Sequence, residues 1–73
     1  MKEIDLHGVK HEDVSKLLDT FFWEHMQKKT SCVRVITGNS SKMKELVDEL
    51  IAEYGFDVDE ELLNSGALIV TLI

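Results

Sequence analysis

A chain of 73 residues has room for one domain, and at this size folding buries only about 60% of the unfolded surface, so packing has to be good. With 44% hydrophobic and 30% charged residues the chain is not of a disordered composition, and no apolar run approaches the roughly 20 residues that cross a bilayer. The net charge of −6 speaks against a nucleic-acid partner until it is placed along the chain: all eight Lys and Arg lie within residues 1–44 beside six acids, a balance of +2, whereas residues 45–73 hold eight acids and no base. Cys32 stands alone, so no internal disulfide can form. The start MKEIDLHG carries Asp5 and His7 where a secretory signal would have its apolar core, and a reduced, cytoplasmic setting is expected for a single stand-alone domain over residues 1–73.

Residues 2–7 alternate, with Ile4 and Leu6 on one side and Asp5 and His7 on the other, the period of a strand that Gly8 then ends. Val14, Leu17, Leu18, Phe21, Phe22 and His25 follow helical spacing, with Glu12 and Asp13 in the first turn and Lys28 and Lys29 near the end. CVRVIT, residues 32–37, is rich in β-branched side chains and reads as a second strand stopped by Gly38. A second helix is expected to open at Ser40 or Ser41. Its apolar stripe is Met43, Leu46, Val47, Leu50, Ile51 and Tyr54, and Gly55 closes it. FDVDEEL and ALIVTLI then read as two strands joined through Asn64, Ser65 and Gly66, and the continuous apolar run of the last means that it is central or that its second face is not fully wet.

The order is therefore β-α-β-α-β-β. Right-handed crossovers put both helices on one face of a four-stranded mixed sheet, an α/β two-layer sandwich whose other face is open or covered by a partner. A second copy of the chain is one such partner, and Trp23, half a turn off the apolar stripe of its helix, is a second contact that could meet a neighbouring chain or a base. His25 falls on the stripe and reads as a structural histidine; Cys32 reads as packing.

Two places carry candidate chemistry. Asp5 and His7 lie at the carboxyl end of the first strand, where sites form in open α/β sheets, and Thr37 and Gly38 end the second. A carboxylate beside a histidine can orient it for proton transfer, or the pair can contribute to a divalent metal site for which two ligands are too few. An exposed polar sheet face is the plain alternative. The second place is the loop of Gly38, Asn39, Ser40 and Ser41 at the start of a helix, followed by Lys42 and Lys44 where acids would be usual. Backbone N–H groups at such a start hold phosphate well, and the alternative is an ordinary serine-capped helix with solvated lysines. His11 is a weaker candidate for a phosphate contact.

The succession of IDLHG (residues 4–8), a helix, VRVITG (residues 33–38), a second helix and NSGALIV (residues 64–70) resembles the Smr (small MutS-related) domain over nearly the whole chain. IDLHG is similar to that family's leading LDLHG motif, and VRVITG to the strand before its TGxG motif. The resemblance implies a fold similar to the C-terminal domain of translation initiation factor three. It implies nucleic-acid binding and, in several members, nicking of DNA or RNA, which would place the protein in DNA repair or recombination or in RNA processing. Asp5, His7 and Gly8 match the first motif, and Thr37 and Gly38 the start of the second. Ser40 stands in place of the second glycine, the loop after it is reduced to Ser41 and Lys42, and Lys10 stands where a helix-capping Thr is common.

The expectation is a nucleic-acid-binding domain in which Asp5 and His7 would be catalytic. Gly8, His11, Thr37, Gly38, Asn39, Ser40, Ser41, Lys42 and Lys44 would hold phosphate. The competing expectation is a module that binds nucleic acid or a protein without cleaving anything, favoured by Ser40 and the shortened loop. DNA or RNA, and the need for a divalent ion, are left open.

Overall fold

The computed structural model describes residues 1–61 and 64–73, with residues 61, 64 and 65 described by their backbone alone. Its elements are β1 (Glu3–Asp5), α1 (His11–Gln27), β2 (Cys32–Ile36), α2 (Ser41–Tyr54), β3 (Asp57–Glu61) and β4 (Asn64–Thr71). Among the described residues the strands form one four-stranded sheet in the order β1-β2-β4-β3. β1 runs parallel to β2, and β4 runs antiparallel to both β2 and β3. β2 and β3 therefore point the same way, and each helix is a crossover between parallel strands. Successive right-handed crossovers in one direction place α1 and α2 on the same face, where they touch each other.

That face holds the core. Ile4 and Leu6 from β1 and its end, Val33 and Val35 from β2, and Leu68 and Val70 from β4 pack against Val14, Leu18 and Phe22 of α1 and Met43, Val47 and Ile51 of α2. Phe22 is 1% exposed and meets Tyr54 and Phe56 edge-on, with ring centroids 5.2 and 5.4 Å away. The edge-to-face arrangement sets the positive rim of one ring against the negative face of the next. His25 is buried beside Phe21 and places Nδ1 3.3 Å from Thr30 Oγ1, so it is a structural group at the end of α1. Leu17, expected on the buried stripe, is 41% exposed because it lies at the stripe's margin.

The other face of the sheet is uncovered in the single chain. Register places Glu3, Arg34, Ile69 and Asp59 in one row across the four strands, with Arg34 Nη1 3.4 Å from Glu3 Oε1. β4 is central, one of the two arrangements its apolar run allows, and Ala67, Leu68 and Val70 are all buried. Its start differs from expectation. Asn64, Ser65 and Gly66 belong to β4 and do not connect the last two strands; the connection falls between Glu61 and Asn64, which pair with each other. Leu62, expected to end the third strand, lies outside the described residues. A Gly in a short polar stretch is a local turn signal, and here the pairing with β2 overrides it.

The two aromatic side chains of α1 are expected to differ sharply under truncation. Phe22→Ala removes a fully buried ring and should cost about 3–5 kcal/mol. Trp23, 67% exposed and turned from the core, should change stability by no more than about 0.5 kcal/mol when replaced by Ala. Urea unfolding followed by far-UV circular dichroism separates them; equal losses would contradict the packing described.

Candidate functional site

β1 and β2 end side by side because they are parallel. Leu6 N–H donates to Ile36 O at 2.7 Å and carries the pairing one residue past β1. The chain then turns: Val9 N–H donates to Leu6 O at 3.0 Å, with His7 and Gly8 in the middle. His7 is thus on a turn, not on the strand beside Asp5 as its alternation suggested. Asp5 Oδ1 accepts the main-chain N–H of His7 at 2.9 Å, the bond by which an aspartate two residues upstream shapes a turn. The contact that the structure gives Asp5 is to the backbone of His7, and both side chains are exposed.

The His7 ring instead lies against the second motif. A Cβ on Gly38 would stand 2.8 Å from Cδ2 of His7, and Gly38 has φ of 70°, so only glycine fits both the turn and the ring above it. Thr37 is 1% exposed, and its hydroxyl lies 3.0 Å from Gly38 O and 3.2 Å from Gly66 O. That hydroxyl faces inward and holds the turn. The N–H groups of Thr37 and Gly38 both donate to Gly66 O, at 2.8 and 3.0 Å.

Asn39, Ser40, Ser41 and Lys42 are exposed above this turn. Ser40 is the N-cap of α2: its hydroxyl accepts Met43 N–H at 3.1 Å and its carbonyl accepts Lys44 N–H at 3.1 Å. The residue that replaces a family glycine is therefore a working cap. Helix geometry leaves the N–H groups of Ser41 and Lys42 without a partner inside the helix. The first turn of α2 contains no acid, so nothing there offsets its partial positive charge. α1 starts at the same rim, with exposed His11 as its first residue, but Glu12 and Asp13 offset its first turn and its N-cap, Lys10, makes no side-chain capping bond.

The two lysines diverge. Residues two apart on a helix are separated by about 200° around its axis. Lys42 is exposed, whereas Lys44 is half-buried and lines a cavity of about 170 Å³ with Asp48, Val58, Asp59, Glu60 and Leu68, on the β3 side. The structure thus gathers His7, Gly8, Gly38, Asn39, Ser40, Ser41 and Lys42, with His11 at the neighbouring helix start, and sets Lys44 among acids. Among the described residues no three His, Cys, Asp or Glu side chains are grouped to hold a metal ion, so Asp5 and His7 gain no third donor. Gly66, within the NSGALIV stretch and expected in a turn, instead lies in β4, and its carbonyl holds the Thr37–Gly38 turn. Trp23 and His25 lie on α1 away from the rim.

Three comparisons bear on this geometry. A family model, the Smr domain, matches residues 4–72. No curated protein matches the chain by sequence. Among solved structures, the crystal structure of the Smr domain of Thermus thermophilus MutS2 superposes with a TM-score of 0.91 at 18% identity, covering 100% of this chain and 99% of that one. At that identity the likeness is one of fold. No helix among the described residues is long and apolar enough to cross a membrane.

The two helix starts predict opposite responses. Ser40→Ala should lower stability by about 1 kcal/mol through loss of the cap, and Ser40→Gly by only a few tenths. Lys10→Ser should raise it, by about 0.5–1 kcal/mol, by supplying a cap α1 lacks. Thermal unfolding of the three variants tests this; a neutral Ser40→Ala would remove the capping role.

Proposed function

The chain belongs to the Smr domain family, and on that premise we propose that it binds nucleic acid at the rim formed by the β1 and β2 ends and the start of α2. The observation that carries this reading is the α2 N-terminus itself: an acid-free first turn with Lys42 exposed on it, reached through a glycine turn that carries the His7 ring. Outward N–H groups and a partial positive charge suit a phosphate oxygen, and Gly38 allows the backbone to come close. The ligand class follows from the family, whose members bind nucleic acid. A net charge of −6 does not oppose it, because attraction depends on the charges within a Debye length, about 10 Å at 0.1 M salt.

A second reading is hydrolysis of a phosphodiester, favoured by the exposed imidazole of His7 beside that phosphate position. His7 would take a proton from the attacking water or give one to the leaving oxygen, while Lys42 and the α2 N–H groups meet the charge on the non-bridging oxygens. Asp5 would then act through the backbone, holding the turn that presents His7.

Charge reversal should distinguish the lysines. Lys42→Glu should weaken binding to a structured RNA or a branched DNA and lower the salt dependence by about one unit of slope, the signature of one lost phosphate contact. Lys44→Glu, on the acidic side, should do less. Equal effects in fluorescence anisotropy across a salt series would argue against the rim as drawn.

Cleavage needs its own assay. Supercoiled plasmid and structured RNA, with and without divalent metal, should be nicked by the wild type and about 10²–10⁴-fold more slowly by His7→Ala if the imidazole moves a proton. Asp5→Asn keeps the oxygen that bonds His7 N–H and should retain most activity. Nicking that survives His7→Ala unchanged excludes the histidine; binding without nicking leaves the domain a recognition module.

A further inference from the structure

Gly66 is the residue on which the rim is seated, although it lies on β4 and reaches no exposed part of the site. Its carbonyl oxygen gathers Thr37 N–H at 2.8 Å, Gly38 N–H at 3.0 Å and the Thr37 hydroxyl at 3.2 Å. The strand is irregular here. Glu60 pairs with Leu68 and the next residue, Glu61, with Asn64, so one step along β3 matches four along β4. Irregularities of this kind bend a strand and re-aim its groups, and they recur beside functional sites. On the other side the β2 ladder ends with Ile36 opposite Ala67, so Gly66 is the first β4 residue past it and faces the Thr37–Gly38 turn.

Space is as limited as hydrogen bonding. A Cβ on Gly66 would stand 3.3 Å from Cα, C and O of Gly38, closer than such atoms ordinarily come. Gly38 in turn has no room for a side chain beneath the His7 ring. Sheet backbone, turn backbone and imidazole are thus stacked with no side chain between the layers.

We propose that Gly66 is a positioning residue of this rim. It sets the height of the Thr37–Gly38 turn over the sheet, and through Gly38 the place of the His7 imidazole relative to the start of α2. It acts on a ligand only through those groups, and the part that concerns a phosphate rests on the nucleic-acid reading above.

The test uses Gly66→Ala, which should push the turn outward by a few tenths of an ångström. Ile51→Val, a remote core truncation, serves as the stability control. In ¹H–¹³C spectra the His7 Cδ2–H signal should move in Gly66→Ala while those of His11 and His25 stay. Affinity for a branched DNA oligonucleotide should fall roughly tenfold, as expected when a binding group is misplaced. Ile51→Val should lower the unfolding temperature and leave both readouts unchanged. Thr37→Val and Thr37→Ser give a second route: the first removes the hydroxyl from Gly66 O and should move the His7 signal, and the second keeps the hydroxyl and should restore it.

A folded Gly66→Ala with an unmoved His7 signal would overturn the proposal, as would movement in Ile51→Val of the same size. The same holds for Thr37→Val indistinguishable from Thr37→Ser, should Gly66→Ala fail to fold. If the signal moves as described in a protein that binds no oligonucleotide, the positioning role stands and the nucleic-acid reading falls.

Discussion

Everything at the rim depends on the parallel pairing of two short strands. The three residues of β1 are tied to β2 by few hydrogen bonds, and each contributes only about 1 kcal/mol net. Leu6 supplies the rest: its side chain is fully buried, which stabilises by roughly 1.5–3 kcal/mol, while the bond from its N–H to Ile36 O fixes the register. The apolar residue anchors the strand and the hydrogen bond aligns it. Because the two strands point the same way, both helices that follow begin at the same end. A glycine turn, a histidine and two helix starts are thereby brought together from residues more than thirty apart in the chain.

Much of this was legible from periodicity. The stripes of Val14, Leu18 and Phe22 and of Met43, Val47 and Ile51 face the core as helical spacing requires, and the apolar β4 is central. Ser40 was readable as a cap because capping is local chemistry. Several residues close in sequence have surroundings that are set elsewhere in the fold. Asp5 and His7 share the parity of a strand, yet a turn begins between them. Lys42 and Lys44 are adjacent in the motif, yet helical geometry sends them to opposite sides. Gly66 resembles a turn residue, yet it belongs to β4, and its carbonyl accepts the N–H groups of Thr37 and Gly38. Local patterns convey what a residue can do; only register shows what it faces.

The electrostatics of the rim are uneven for the same reason. Its favourable part lies over β1 and β2, where the α2 start carries no acid. Toward β3 the sign changes, with Asp48 and Glu60 lining the same cavity as Lys44. Four strands at about 4.8 Å spacing make the whole rim only about 15 Å across, so the acid-free stretch at the start of α2 is a fraction of that. On the proposed reading, a nucleic acid would be held there at one or two phosphates and not along a uniform duplex.

The acidic β3 also lies at the outer edge of the sheet. An edge strand exposes backbone groups that could pair with a second sheet, and proteins commonly blunt such edges with charge. Asp57 and Asp59 stand on the uncovered face of β3 and Glu60 on its helix side. Two copies meeting edge to edge would bring those carboxylates within strand spacing of one another. Charge placed in this way opposes edge-to-edge pairing of two sheets along β3.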